Sequence, residues 1–162
     1  MTPLTYFFAL AVSALGLGVG IMLAFLAKEE LDSIRRYLVL MKKILLGSLL
    51  AIVGYIYSGG LGVGVLFFLL GFGLGWFVHE EKMLYLILGA SFFVGSLSEN
   101  LFALTGALIL LYGFCTGILL VHNNLRLLKK DKWIVARKAA PIMIIYLVSA
   151  GAAFLLKYIL KP

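Results

Sequence analysis

Long apolar runs separated by short polar clusters make up the chain. Leu4 to Ala27 carries no charge, and polar residues then return together in Lys28 to Lys43, KEELDSIRRYLVLMKK. An apolar run of that length crosses a hydrocarbon core of roughly 30 Å with some tilt. The first predicted helix is therefore 4–27. Within the polar stretch, Leu31, Ile34, Leu38, Met41 and Leu45 recur at three- and four-residue steps, the spacing of one helical face. The charge-free run that follows, Ile44 to Tyr57, has 14 residues and covers only ~21 Å at ~1.5 Å per residue. The second span, placed at 37–57, therefore takes in Lys42 and Lys43, and the stripe upstream extends its helix to the inner interface. At that depth their ammonium groups either snorkel to the interface or face a hydrated cavity.

Ser58, Gly59 and Gly60 predict a tight turn before a third helix, 61–78, which His79, Glu80, Glu81 and Lys82 end. The run 83–97, bounded by Ser98, Glu99 and Asn100, is short enough either to span or to re-enter. Two further helices follow at 101–121 and 139–160, with Pro141 tolerated in the first turn of the last. Charge decides the case of 83–97. If it crosses, twelve of the fourteen Lys and Arg residues fall on one side, leaving Lys157 and Lys161 on the other. If it does not, two basic segments face opposite sides, against the positive-inside rule. The expected fold is an all-α integral membrane protein, a single transmembrane domain over 1–162 with six transmembrane helices. Both termini lie outside and the basic loops are cytoplasmic, in a multi-pass protein of the cell membrane. The basic loop from His122 to Lys138 interleaves Leu127, Leu128, Trp133, Ile134 and Val135 with its charges. Part of it is predicted to lie as an amphipathic segment on the inner surface.

Composition agrees with this reading and removes others. Of 162 residues, 64% are hydrophobic and 13% charged, with a mean hydropathy of +1.13, whereas about half of a soluble domain is apolar. The net charge of +7 would suggest nucleic acid in a soluble chain. Here it orients the helices and favours the anionic lipids of the inner leaflet, and no nucleic-acid partner is expected. Cys115 is alone in an apolar run and reads as a small buried hydrophobe. Met1 to Leu4 lacks a basic n-region, so the first helix is expected to remain in the mature protein.

Glycine spacing suggests how the helices assemble. Gly16 with Gly20, Gly60 with Gly64, Gly71 with Gly75, and Gly113 with Gly117 form G-x-x-x-G pairs, and Gly106 extends the last stripe. Such pairs let helix backbones approach closely. All four lie on helices running from outside to inside, which places the third helix centrally, packed against the first and fifth. The motif serves packing within a chain and between chains alike, so a homo-oligomer or a membrane-complex partner is open.

Three polar exits end those same helices: Glu29 and Glu30, His79 to Glu81, and His122 to Asn124. The topology gathers Glu29, Glu30, His79, Glu80, Glu81, His122, Asn123 and Asn124 around one inner mouth, facing Arg35, Arg36, Lys42 and Lys43. This set forms either a vestibule for an ion or substrate or a group of solvated helix ends closed by local pairs. No histidine pair has metal-site spacing, and no metal or cofactor is expected. Ser91, Ser96, Ser98, Thr105 and Thr116 have no histidine at their depth to activate them, and are expected to bond to neighbouring helices. No catalytic constellation is visible, so the chain reads as a small transport or channel component with a polar inner vestibule. A non-catalytic subunit or scaffold of a larger membrane complex is the second reading, and an enzyme acting on lipid headgroups the third.

Overall fold

The computed structural model describes residues 2–27, 29–78, 80–128 and 133–159. It contains six helices, α1 (Pro3–Leu26), α2 (Leu31–Ser58), α3 (Leu61–Phe77), α4 (Glu81–Gly95), α5 (Glu99–Leu128) and α6 (Ile134–Ile159). Four of them, α1, α2, α5 and α6, are long and apolar enough to cross a membrane. α3 has 17 residues and α4 has 15, or ~26 and ~23 Å.

Local chemistry accounts for the boundaries. Thr2 caps α1 by accepting a hydrogen bond from the Thr5 amide, and Pro3 suits the first helical position, where its missing N–H costs nothing. α2 is a single helix from Leu31, because no glycine or proline interrupts the stripe that passes through Lys42 and Lys43. It stops where Gly59 takes φ +65° and donates its amide to the Tyr55 carbonyl at 2.8 Å. A left-handed terminal residue of this kind favours glycine, which has no Cβ to clash.

Two expectations change at the far end of the chain. Residues 122–128, expected on the inner surface, continue α5, and 134–138 begin α6. The sequence VHNNLRLL contains no helix breaker, and the Asn124 side chain donates to the Leu120 carbonyl at 2.7 Å within the helix. Lys129 to Lys132 lie outside the described residues. Because α6 starts at Ile134, Pro141 sits inside the helix rather than in its first turn.

The helices alternate in direction and pack in three main pairs, α1 on α5, α2 on α3, and α4 on α6, with α5 also touching α2, α4 and α6. The α1–α5 pair is parallel. A Cβ at Gly113 would lie 2.9 Å from the Leu17 nitrogen, and one at Gly117 would lie 2.8 Å from the Ile21 nitrogen, while Gly16 and Gly20 meet the backbones of Leu110 and Phe114. In lipid no hydrophobic force draws helices together, so backbone approach and its dispersion contacts do so instead.

α3 is not central. Its principal contact is α2, where a Cβ on Gly71 would lie 2.9 Å from Gly47 Cα and Gly75 abuts the Lys43 side chain. Gly47 and Gly54 give α2 a complementary surface one hairpin away, and the third helix takes that partner instead of α1 and α5. Gly60 caps α3 and Gly106 touches only the Phe92 ring within 4 Å, while Gly18, Gly62 and Gly73 face open space.

The core is aromatic at one end. Tyr6 stacks on Phe154 at 4.3 Å and meets Phe92 edge-on at 5.1 Å, and Phe92 lies 5.3 Å from Phe102. Two buried hydrogen bonds tie this region across helices. Tyr6 donates to the Ala150 carbonyl at 2.9 Å, and the hydroxyls of Ser13 and Tyr146 lie 2.7 Å apart. By contrast Ser96, Thr105 and Thr116 bond to carbonyls of their own helices, Phe93, Leu101 and Tyr112, and Thr116 also lies against the Tyr85 hydroxyl of α4. A β-hydroxyl reaches the preceding turn without any partner helix, which explains the difference.

Gly117→Leu is expected to cost about 3 kcal/mol or more, since the side chain must enter the Leu17 to Ile21 backbone. Gly73→Ala is expected to be neutral or to stabilise by up to about 1 kcal/mol. Thermal unfolding of the two purified variants in one detergent checks the contrast, and equal melting temperatures would refute the packing account.

Candidate functional site

The end of the bundle opposite the aromatic cluster is polar. There the start of α2, the start of α4, the end of α5 and the start of α6 converge. A cavity of ≈ 190 Å³ opens between α2, α3, α4 and α5, with Arg35, Lys42, Lys43, Glu81, Tyr112 and Asn123 among its lining residues.

Lys42 and Glu81 both line this cavity. The Lys42 ammonium donates to both Glu81 oxygens, at 2.5 Å and 2.6 Å. The two side chains are 12% and 34% exposed, so the lysine is the more deeply held partner. Position explains the asymmetry. Lys42 projects from the middle of the long α2, whereas Glu81 is the first residue of α4 and follows the polar exit that ends α3. The Tyr112 ring lies 5.3 Å from the Lys42 nitrogen, an arrangement that adds cation–π attraction to the ion pair. Lys43 points the other way and sits 3.2 Å over the Trp76 ring. Lys42 therefore faces the cavity, while Lys43 packs its stem against Gly75 and its charge on an aromatic face.

Tyr112 is fully buried, yet its hydroxyl has no hydrogen-bond partner among the described residues. Leaving a buried hydroxyl unpaired costs about 1–3 kcal/mol. The neighbouring Tyr85 ring, 5.8 Å away, carries a second buried hydroxyl. It lies close to Thr116, whose own hydroxyl donates to the Tyr112 carbonyl at 3.0 Å.

Two more polar contacts close the same end of the bundle. His122 Nε2 lies 2.7 Å from Asp32 Oδ1, joining α5 to α2, and Lys138 donates to Asn124 Oδ1 at 2.6 Å, joining α6 to α5. A wider groove of ≈ 540 Å³ runs along α2 beside Trp76, lined by Asp32, Arg35, Arg36, Val39, Leu40 and Lys43.

The predicted mouth residues thus separate into groups. Arg35, Lys42, Lys43, Glu81 and Asn123 share the cavity, and Arg36 lines the groove beside it. His122 meets Asp32, and Asn124 is buried against Lys138. Glu29, Glu30 and Glu80 are exposed and line neither cavity. His79 lies outside the described residues. Tyr112, Tyr85 and Trp76 were absent from the predicted set. The available signal for the first two was a tyrosine placed within an apolar run, away from the interfacial belt where this residue concentrates. Among the described residues no group of three or more His, Cys, Asp or Glu side chains could hold a metal ion.

The bundle is that of an all-helical protein with four helices fit to cross a membrane and a charged cavity at one end. Comparison with protein-family models, with curated proteins and with solved structures finds no match.

Removing either partner strands a charge that is largely withdrawn from water. Lys42→Met and Glu81→Gln are each expected to cost about 2 kcal/mol, below the range of a fully buried pair because Glu81 is partly solvated. The double variant Lys42→Met with Glu81→Met is expected to be more stable than the sum of the two losses implies. Unfolding curves for the three variants and the native protein complete the cycle, and strict additivity would contradict the coupling.

Proposed function

We propose that the chain is a small multi-pass membrane protein acting as a transport component, with a vestibule open at one face and a closed opposite face. The observation that carries this reading is the Lys42–Glu81 pair lining a cavity inside a helix bundle. Ionisable groups at such depth are expensive in lipid, and those that are kept mark ion or substrate pathways. The aromatic cluster of Tyr6, Phe92, Phe102 and Phe154 supports a closed far end. The two ends then correspond to the open and sealed sides of a pathway that is accessible from one side at a time.

In this reading all six helices cross the membrane. The short α3 and α4 are accommodated by local thinning and by their flanking polar residues. The vestibule is cytoplasmic and both termini are outside, because the basic residues concentrate at the vestibule end. Arg35, Arg36 and Lys43, grouped beside Trp76, lie at the level of anionic inner-leaflet headgroups.

One observation favours a second reading, a non-catalytic subunit of a larger membrane complex. α3 is held mainly by α2, and Gly62 and Gly73 on its other side have no described atom within 4 Å beyond their own surroundings. That face would admit a helix from another subunit or a second copy of the chain.

Uptake of labelled succinate, phosphate and rubidium into proteoliposomes tests the transport reading. At least one is expected to enter saturably above protein-free vesicles, and Lys42→Met is expected to reduce that rate at least tenfold, the scale of a lost charge contact. No uptake of any of the three would favour the subunit reading. Sidedness is tested separately in a Cys115→Ser background. A cysteine at Asn123 is expected to be shielded from an impermeant maleimide added to intact cells, and one at Ser58 to be labelled. The reverse pattern would invert the topology.

A further inference from the structure

We infer that the cavity binds a small carboxylate anion, and that Glu81 occupies the place of that anion in its absence. The inference rests on reading the cavity as a ligand vestibule and adds the chemical class of the ligand.

Four features point the same way. First, both Glu81 oxygens engage the Lys42 ammonium, at 2.5 Å and 2.6 Å, as the carboxylate of a bound ligand would. Second, the exposure of the pair is unequal, 12% for Lys42 against 34% for Glu81. The carboxylate stands at the end of a helix beside a polar turn, and the ammonium is fixed in mid-helix, so the carboxylate is the partner free to leave. Third, the charged groups of the cavity lining are Arg35 and Lys42 against Glu81, with the Lys43 charge turned onto Trp76. Displacing Glu81 leaves the lining with net positive charge, which selects an anion over a cation.

The fourth feature is Tyr112, a residue of the cavity lining whose buried hydroxyl has no partner among the described residues. Glu81 in its present position leaves that donor unpaired. A ligand carboxylate is not tethered to α4 as Glu81 is, so it can hold Lys42 from a position that also accepts from the Tyr112 hydroxyl. Arg35 precedes Lys42 by two helical turns, ~10 Å along α2, on the same face and closer to the mouth. A second carboxylate on the ligand would be received there, so a short dicarboxylate suits the cavity better than a monocarboxylate.

Trp76, stacked under Lys43 beside the cavity, provides a reporter once Trp133 is replaced by Phe. Titration of the detergent-purified Trp133→Phe protein with sodium succinate is expected to give a saturable fluorescence change. Sodium sulfate at the same ionic strength carries the same charge in a tetrahedral shape and is expected to give none. Glu81→Gln is expected to tighten succinate binding about tenfold, because it removes the internal competitor that holds the site closed. Tyr112→Phe keeps the shape of the core and deletes only the unpaired hydroxyl. It is expected to leave the melting temperature unchanged or raised while weakening succinate about fivefold, on the scale of one hydrogen bond. This variant decides the matter even if Glu81→Gln fails to fold.

Equal responses to succinate and sulfate would overturn the carboxylate assignment. Unchanged succinate affinity in Tyr112→Phe, or weaker affinity in a folded Glu81→Gln, would overturn it equally. Its failure is distinct from that of the transport reading. Specific succinate binding without flux refutes transport and leaves the site, whereas saturable rubidium flux without succinate binding refutes the site and leaves transport.

Discussion

Backbone contact between α1 and α5 is the constraint on which the rest of the bundle depends. A membrane offers no hydrophobic gain for bringing two apolar helices together, so their association relies on dispersion over surfaces that fit. Gly16, Gly20, Gly113 and Gly117 remove the side chains that would hold the axes apart. The close approach leaves the other flanks of α5 available to α2, α4 and α6, and Tyr112 on this helix is turned towards α2 and α4. The ring that lies beneath Lys42 is thus positioned by glycines one residue and five residues further along the same helix.

The ion pair follows from that arrangement. An isolated ammonium withdrawn from water is held to the neutral form or to a counter-ion, and here Glu81 provides the counter-ion from another helix. A pair of this kind adds little net stability compared with a well-packed apolar substitute. Its presence in a bundle otherwise filled by Leu, Phe and Tyr is therefore not explained by folding alone. The Tyr112 hydroxyl, without a partner among the described residues, has the same character, since phenylalanine would fill the space without the cost of an unmet donor.

The helices were readable from the sequence to a greater degree than their partners. Apolar run length, the Ser58 to Gly60 turn and the stripe through Leu31, Leu38 and Leu45 correspond to elements in the structure, because each depends on local chemistry. Partner choice does not. A glycine stripe states that something comes close without stating what, and the isolated Gly47 and Gly54 of α2 carried no pattern that marked them as the surface for α3. The extension of α5 through His122 to Leu128 is hidden for a related reason, because a polar cluster marks the edge of an apolar run and does not by itself end a helix. In the site, charge identified Lys42 and Glu81 as members of one polar mouth. Their pairing needed the three-dimensional register of α2 against α4, and Tyr112 was hidden by its resemblance to ordinary core.

The two ends of the bundle differ in what holds them. At the aromatic end, ring stacking and the bonds from Tyr6 to Ala150 and from Ser13 to Tyr146 join α1 to α6 through groups that carry no charge. At the polar end the links between helices include Lys42 to Glu81, His122 to Asp32 and Lys138 to Asn124, all of them ionic or charge-assisted. Stacking of buried rings responds little to ions in the surrounding water, whereas charged contacts weaken when a competing ion arrives. The polar end is thus the one at which a dissolved anion can alter helix contacts. Of these, Lys42 to Glu81 lines the cavity, so a ligand entering there acts on the tie between α2 and α4.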